Sequence, residues 1–138
     1  MHDLIKELFL PRLGNPVLAQ LSDSAQIQLK DKRLAFTTDS FVVSPINFPG
    51  GDIGKLAVCG TINDLVMLAS CPRFISLAMI IEEGLDYDIL EMIVDSIASN
   101  ARKEKVCIAT GDLKVVEKGA CDKIFINTSG IGAIIKDK

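Results

Sequence analysis

The chain opens on a helical pattern: between Asp3 and Leu10 the apolar residues Leu4, Ile5, Leu8 and Phe9 fall on one face, and Pro11 predicts the stop. Gln26 to Leu29 alternates polar and apolar, as a half-buried strand does. Asp31-Lys32 reads as a short turn, and Arg33 to Thr38 as the returning strand of a hairpin. Phe41-Val42-Val43 stays extended until Pro45. Ser44 to Asp52, with two prolines and Gly50-Gly51, is a loop.

Asp52 opens a helix predicted to run to about Ser70, with Ile53, Leu56, Ala57, Gly60, Leu65 and Leu68 sharing much of a buried face and Pro72 as its stop. The near-continuous apolar run Phe74 to Ile81 suggests a strand covered on both faces, closed by Glu82-Glu83-Gly84. A second amphipathic helix spans Asp86 to Lys105, with Ile89, Met92, Ile93, Ser96, Ile97 and Asn100 at helical spacing and Asp86 or Asp88 as cap. Val106 to Ala109 is a short strand that breaks at Thr110-Gly111-Asp112. Lys123 to Asn127 is another, and Gly130 to Ile135 resumes extended. The order hairpin, helix, strand, helix, strand, strand predicts an α+β domain, a sheet covered on one side by helices. Without internal repeats, residues 1–138 are read as a single domain; Lys136-Asp137-Lys138, directly after an apolar strand, read as a domain boundary or a truncation.

Composition narrows the function classes. With 49% hydrophobic but only 5% aromatic residues and no Trp, the core must be built from Ile, Leu, Val and Ala. A net charge of -3 offers no basic field for nucleic acid or an anionic membrane. No segment is apolar long enough to span a bilayer, and the N-terminus lacks a signal-peptide pattern, so the expected location is cytoplasmic. Cysteines 59, 71, 107 and 121 form no C-x-x-C pair and are expected to be buried reduced thiols.

Three aspartates interrupt apolar segments: Asp39 at a strand end, Asp64 inside a helix, Asp112 after a strand. Carboxylates beside a core need partners, and several converging on one point make a hard-oxygen site suited to Mg²⁺ on phosphates. Taken singly, each is better read as a strand-end or cap residue in water. Lys55 follows Gly50-Gly51-Asp52-Ile53-Gly54 at a helix start, where free N–H groups favour anions. Lys114, two residues after Asp112, points to the same side if the segment is extended. The alternative for both is a solvated surface charge. No nucleophile–base arrangement is visible, and His2 is the only histidine.

Phe36-Thr37-Thr38-Asp39-Ser40, the block Phe48 to Thr61, Asn63-Asp64-Leu65, Glu82-Glu83-Gly84-Leu85, Thr110-Gly111-Asp112, Lys114-Val115-Val116 and Phe125 to Gly132 together resemble the N-terminal half of the HypE family of hydrogenase maturation proteins, relatives of aminoimidazole ribonucleotide synthetase. The resemblance covers nearly the whole chain, and the block from Phe48 to Thr61 is its most specific part. It implies a PurM N-terminal-domain-like fold with a mixed, mostly antiparallel sheet that pairs with a second copy in a dimer barrel. It implies ATP and Mg²⁺ as cofactors, with Asp39, Lys55, Asn63, Asp64, Asp112 and Lys114 in the nucleotide site and Asp39, Asp64 and Asp112 on the metal. The family's activity is ATP-dependent dehydration of a C-terminal cysteine thiocarboxamide to a thiocyanate, the source of cyanide for the iron of [NiFe] hydrogenase. Implied partners are the carbamoyltransferase HypF and the HypC–HypD complex.

Three features depart from the family pattern. The Gly-rich His-Gly-x-Gly-Gly type segment does not precede the first helix, the C-terminal domain with its acceptor cysteine is absent, and Leu113 stands where the family has Thr. No catalytic residue is therefore assigned beyond Lys114 as a candidate, and the chain alone is expected to be inactive. Another ATP-dependent kinase or synthetase of the superfamily, or a non-catalytic dimerisation or docking module, stand as alternatives. Phe36, Phe41, Val43, Leu77, Met79 and Ile81 are the expected apolar residues of the uncovered, dimer-forming sheet face.

Overall fold

A computed structural model describes residues 2–20, 24–30 and 33–135. The first helix is composite: α1 (His2–Leu4) passes through a π-helical turn, Ile5–Phe9, into α2 (Leu10–Leu13). Pro11 does not end it. It sits in the first turn of α2, where a missing N–H is tolerated, and Gly14 follows the last residue. The expected partner strand at Gln26 to Leu29 joins no ladder among the described residues, and the turn Asp31-Lys32 lies outside them. There is no hairpin. Instead β1 (Leu34–Phe41) pairs antiparallel with the distant β6 (Ile124–Ile134).

A short ladder, β2 (Asn47–Phe48) with β3 (Gly51–Asp52), leads into α3 (Ile53–Val66). Asp52 caps α3, its carboxylate accepting the Lys55 N–H at 2.8 Å. The helix ends at Val66, short of Ser70, because Ala69 takes a left-handed conformation and the chain turns back. β4 (Ser70–Glu82) therefore begins earlier than Phe74 and contains Pro72, which lies at a register irregularity against β6 where no N–H is required. Leu56 and Leu68, expected to be buried, are exposed. α4 (Tyr87–Lys103) is capped by Asp86, whose carboxylate accepts the Asp88 N–H at 3.0 Å.

β5 (Cys107–Val116) is continuous through Thr110-Gly111-Asp112, and β6 joins the two segments expected to be separate. In β5 a bulge opposite Ile75/Ser76 absorbs the irregularity that suggested a break. The sheet order is β1-β6-β4-β5, with only β4 and β5 parallel, the mixed and mostly antiparallel sheet expected.

α3 and α4 cover one face, joined at the β5 side by the N-terminal helix through Leu8 and Leu13. Ile75, Leu77, Met79 and Ile81 of β4, with Ile124 and Ile126 of β6, pack against Ile53, Ala57, Val58 and Ile62 of α3 and Ile93, Val94 and Ile97 of α4. β4 is therefore not covered on both faces: Phe74, Ser76 and Ala78 are half-buried and Ile80 is 40% exposed. The uncovered face corrects the expected list as well. Leu77, Met79 and Ile81 are buried under the helices, Phe41 and Val43 pack against that same core, and only Phe36, 73% exposed, lies on the open side. By register Phe36 shares its row with Ile131, Phe74 and Cys107, while Ile80 sits between Phe125 and Lys114. Among the described residues no helix is long and apolar enough to cross a membrane.

α3 can lie close to the sheet because β6 carries glycine beneath it. A Cβ at Gly130 would stand 2.6 Å from the Thr61 methyl and 3.0 Å from a Leu65 methyl. Thr61 and Thr128, both fully buried, satisfy each other's hydroxyls across the same contact. Gly130→Ala is expected to lower stability by about 1–3 kcal/mol through this overpacking. Urea denaturation checks it, and an unchanged midpoint would show that α3 is free to shift.

Candidate functional site

The Thr61–Thr128 contact fixes the position of two of the predicted acids. Asp39 is the register partner of Thr128 on the helix-covered side of β1, and Asp64 lies one turn beyond Thr61 on α3. Asp64 is near enough to act on the Asp39 carboxyl. Desolvation, then the hydrogen bond and charge of Asp64, holds the Asp39 carboxyl above the usual carboxylate range. Two carboxylates so placed either share a proton or share a cation. Mg²⁺ is commonly held by one or two carboxylates together with phosphate oxygens, so the pair fits that ion's donor preference. Asn63 is exposed beside Asp64.

Asp112 does not join them within one chain. It lies on β5, the opposite edge strand, about 14 Å away at three strand spacings. It also faces the open side, in the row Ser40, Asn127, Ala78, Asp112, whereas Asp39 faces the helices. Convergence of Asp39, Asp64 and Asp112 in a single chain is thus not found. Among the described residues no group of three acids, histidines or cysteines is arranged to hold a metal. Lys114 does share the open face with Asp112, as extended spacing requires. Leu113, between them, is buried on the other side, so the family's Thr at this position would not direct its hydroxyl toward Asp112 and Lys114.

Lys55 stands apart. Its ammonium donates to the Gly50 carbonyl at 3.0 Å, its N–H is taken by Asp52, and it lies about 14 Å along the helix axis from Asp64. The helix start read as an anion site already holds a carboxylate, that of Asp52.

A polar network on the open face was missed in the sequence. Asn127 Nδ2 donates to the Asp39 carbonyl and to Ser40 Oγ, both at 3.0 Å. Thr38 Oγ1 donates to the Thr128 carbonyl at 2.9 Å, and Ser76 Oγ accepts the Ser129 N–H at 3.0 Å. The polar run Asn127-Thr128-Ser129, interrupting the otherwise apolar β6, was the available signal. Of the cysteines, Cys121 is buried, Cys59 and Cys107 half-buried, and Cys71 exposed, contrary to the expected burial. Burial pushes the Cys107 and Cys121 thiols up, away from reactivity.

This arrangement, a four-stranded mixed sheet with one bare face and acids at its edges, has a family. Residues 21–134 match the model of the AIR synthase related protein N-terminal domain, and the chain belongs to that family. Within it, the chain is 49% identical over 139 residues to the carbamoyl dehydratase HypE of Escherichia coli (strain K12), covering 97% of this chain and 41% of that protein. The chain thus spans about two fifths of the length of the curated relatives it matches. Among solved structures, hydrogenase maturation protein HypE in complex with ATP superposes with a TM-score of 0.96 at 56% identity, over 99% of this chain and 40% of that one. A HypE–HypF complex matches with a TM-score of 0.75 at 50% identity, over 96% and 43%. The resemblance to HypE read from the motifs is borne out.

The raised Asp39 carboxyl has a consequence for stability. Ionising it costs the fold, and that cost is absent below the usual carboxylate range. It grows as pH rises through the folded-state value and is constant above it. Asp39→Asn is therefore expected to melt higher than the parent at neutral pH in chelator, with the gap closing as pH falls below the usual carboxylate range. Calorimetry across pH reads this directly; a variant less stable than the parent at neutral pH would contradict it.

Proposed function

We propose that this chain is the ATP- and Mg²⁺-binding, dimerising domain of a HypE-type hydrogenase maturation factor located in the cytoplasm. The observation that carries the reading is the placement of the acids: Asp39 and Asp64 adjoin at one edge of the sheet, and Asp112 with Lys114 lies at the other. The apolar part of the open face, with Phe36 at its margin, is the surface a second copy would cover. A two-fold axis along the strands sets β1 of one copy opposite β5 of the partner. Each acidic pair then stands near the second copy's Asp112 and Lys114. The pair would hold Mg²⁺ with Asp112 as a third carboxylate, the ion would supply charge neutralisation to the phosphates, and Lys114 would offset charge developing on the transferred phosphoryl group. Asn63 lies at the rim, and Lys55 belongs to the cap of α3.

In the complete protein the nucleotide phosphorylates the oxygen of a cysteine thiocarboxamide. Loss of that oxygen as phosphate, with the amide protons, leaves a thiocyanate. HypF as carbamoyl donor, and HypC–HypD as acceptor of the cyanide, are the corresponding partners. The HypE–HypF complex among the similar structures favours this reading over a small-molecule kinase or a docking module without nucleotide.

Two measurements test it. Phe36→Asp is expected to convert a dimer to a folded monomer, read by light scattering with circular dichroism; a parent that is monomeric at micromolar concentration overturns the assembly. Asp64→Asn and Asp112→Asn chains are each expected to lose at least about tenfold in Mg-ATP affinity. Mixed, they are expected to recover one intact site per heterodimer. No recovery in verified heterodimers would place both residues in one chain's site. Residues 1–138 alone are expected to bind nucleotide yet release phosphate negligibly, because they span about two fifths of the relatives' length and carry only part of the positioning groups.

A further inference from the structure

We infer that Thr61 and Thr128 are positioning residues for the cation and phosphate site: their hydroxyl pair holds α3 at the axial setting in which Asp64 stands beside Asp39. The inference rests on the reading of Asp39 and Asp64 as ligands of Mg²⁺ and adds what keeps the two together. Both threonines are fully buried beneath the helix, so neither is offered to the ligand itself.

The two acids come from different elements, and no main-chain ladder joins a helix to a strand. Their separation therefore follows from how α3 seats on the sheet. Thr128 is the common neighbour. It pairs in register with Asp39 of β1, and its hydroxyl meets that of Thr61, three residues before Asp64. From the open face Thr38 donates to the Thr128 carbonyl at 2.9 Å, which holds the main chain under the pair. The surrounding contacts are close but non-directional. Phe41 of β1 lies against Gly60, where a Cβ would stand 3.1 Å from the ring, and Leu65 lies over Gly130 of β6. Such contacts reward proximity and tolerate sliding.

The hydroxyl pair does not tolerate it. A shift of one residue moves a helix about 1.5 Å along its axis and turns it about 100°. Gly60 or Ile62 would then stand over Thr128, and two buried hydroxyls would lose their partners. The other side-chain bonds of α3 among the described residues do not set it against β1 and β6. Asp52 caps the first turn, Lys55 bonds the Gly50 carbonyl of the preceding loop, and Ser70 bonds the Leu65 carbonyl across the turn that follows the helix. The Cys59 thiol reaches Asn100 of α4 at 3.8 Å, a weak contact on the side away from the acids. The directional contact between α3 and the strand beside Asp39 is thus the threonine pair.

The test separates position from stability. Mn²⁺, which takes the same oxygen donors as Mg²⁺, is titrated alone into the 138-residue chain and read by the paramagnetic resonance of the free ion. Mg-ATP is titrated by calorimetry, and stability is read by urea denaturation. Thr61→Val and Thr128→Val keep the side-chain shape and remove one hydroxyl each. Each is expected to lose stability and to bind Mn²⁺ and Mg-ATP at least about tenfold more weakly, the lower end of what losing a supporting contact behind a metal ligand costs. The double variant strands no hydroxyl, so its stability is expected to return toward the parent while its affinity stays low. A pair with a merely structural role would not produce that split. Thr61→Ser keeps the hydroxyl and is expected to retain the parent's affinity. Ile97→Val, in the core on α4, is expected to lose stability without affinity. Full affinity in the double variant, or a loss in Ile97→Val equal to that in Thr61→Val, overturns the inference. Where a single valine variant does not fold, Thr61→Ser and the double variant carry the comparison. A parent that takes up Mn²⁺ but not Mg-ATP overturns the ATP reading and leaves the Mn²⁺ comparison to decide the inference. A parent that binds neither overturns both.

Discussion

The closeness of α3 to β6 is the constraint on which the rest depends. Gly130 permits it, and Gly132 does the same for Ser70 at the end of the helix turn, where a Cβ would stand 2.5 Å from the Ser70 hydroxyl. The buried Thr61–Thr128 pair then fixes the axial position of the helix, because sliding by one residue would strand two fully buried hydroxyls. Asp64 reaches Asp39 only at that position. A local steric allowance in one strand thereby becomes the geometry of a carboxylate pair contributed by another strand and a helix.

The same contact explains a cost the fold carries. Asp39 is placed where ionisation is opposed by desolvation and by a second acid, an arrangement that packing alone would not favour. Clustered carboxylates of this kind lower stability in the free protein and are relieved by a cation. Asn127, the neighbour that bonds the main chain of Asp39 and the Ser40 hydroxyl, holds the strand but offers the acid no countercharge.

Much of the layout was legible in the sequence for a physical reason: the helices announce themselves by caps and stops, and Asp52 and Asp86 cap α3 and α4 as the sequence suggests. The sheet was harder to read. Gln26 to Leu29 has strand alternation without a strand, because the ladder of β1 goes to β6, nearly ninety residues on, and nothing local specifies a distant partner. Phe74 to Ile81 looked buried on both sides because it is apolar at nearly every position, yet half of those side chains face the bare side of the sheet. Apolar content alone does not distinguish a face covered by the chain's own helices from one awaiting a partner. The acids were legible as residue types at interruptions of apolar segments. Their separation into a pair and a distant third was not, since it follows from strand order.

That strand order also bears on why the chemistry is distributed as it is. In a four-stranded sheet with β1 and β5 at opposite edges, carboxylates on the two edges cannot reach one metal ion within a single copy. Curling the sheet until its edges met would require more strands or a tighter barrel than four strands can close. Stacking a second sheet on the bare face removes the exposed apolar rows and brings opposite edges of two copies into proximity in one step, provided the axis runs along the strands. The apolar residues of the open face, Phe36, Phe74, Ile80, Phe125 and Ile131, are separated by the polar rows of Thr38, Ser129 and Ser76 and of Ser40, Asn127 and Asp112. A face wholly apolar would bury more area but would leave no hydrated path to the acids. The alternation of rows therefore reconciles a surface that must be covered with edges that must stay accessible to a charged ligand.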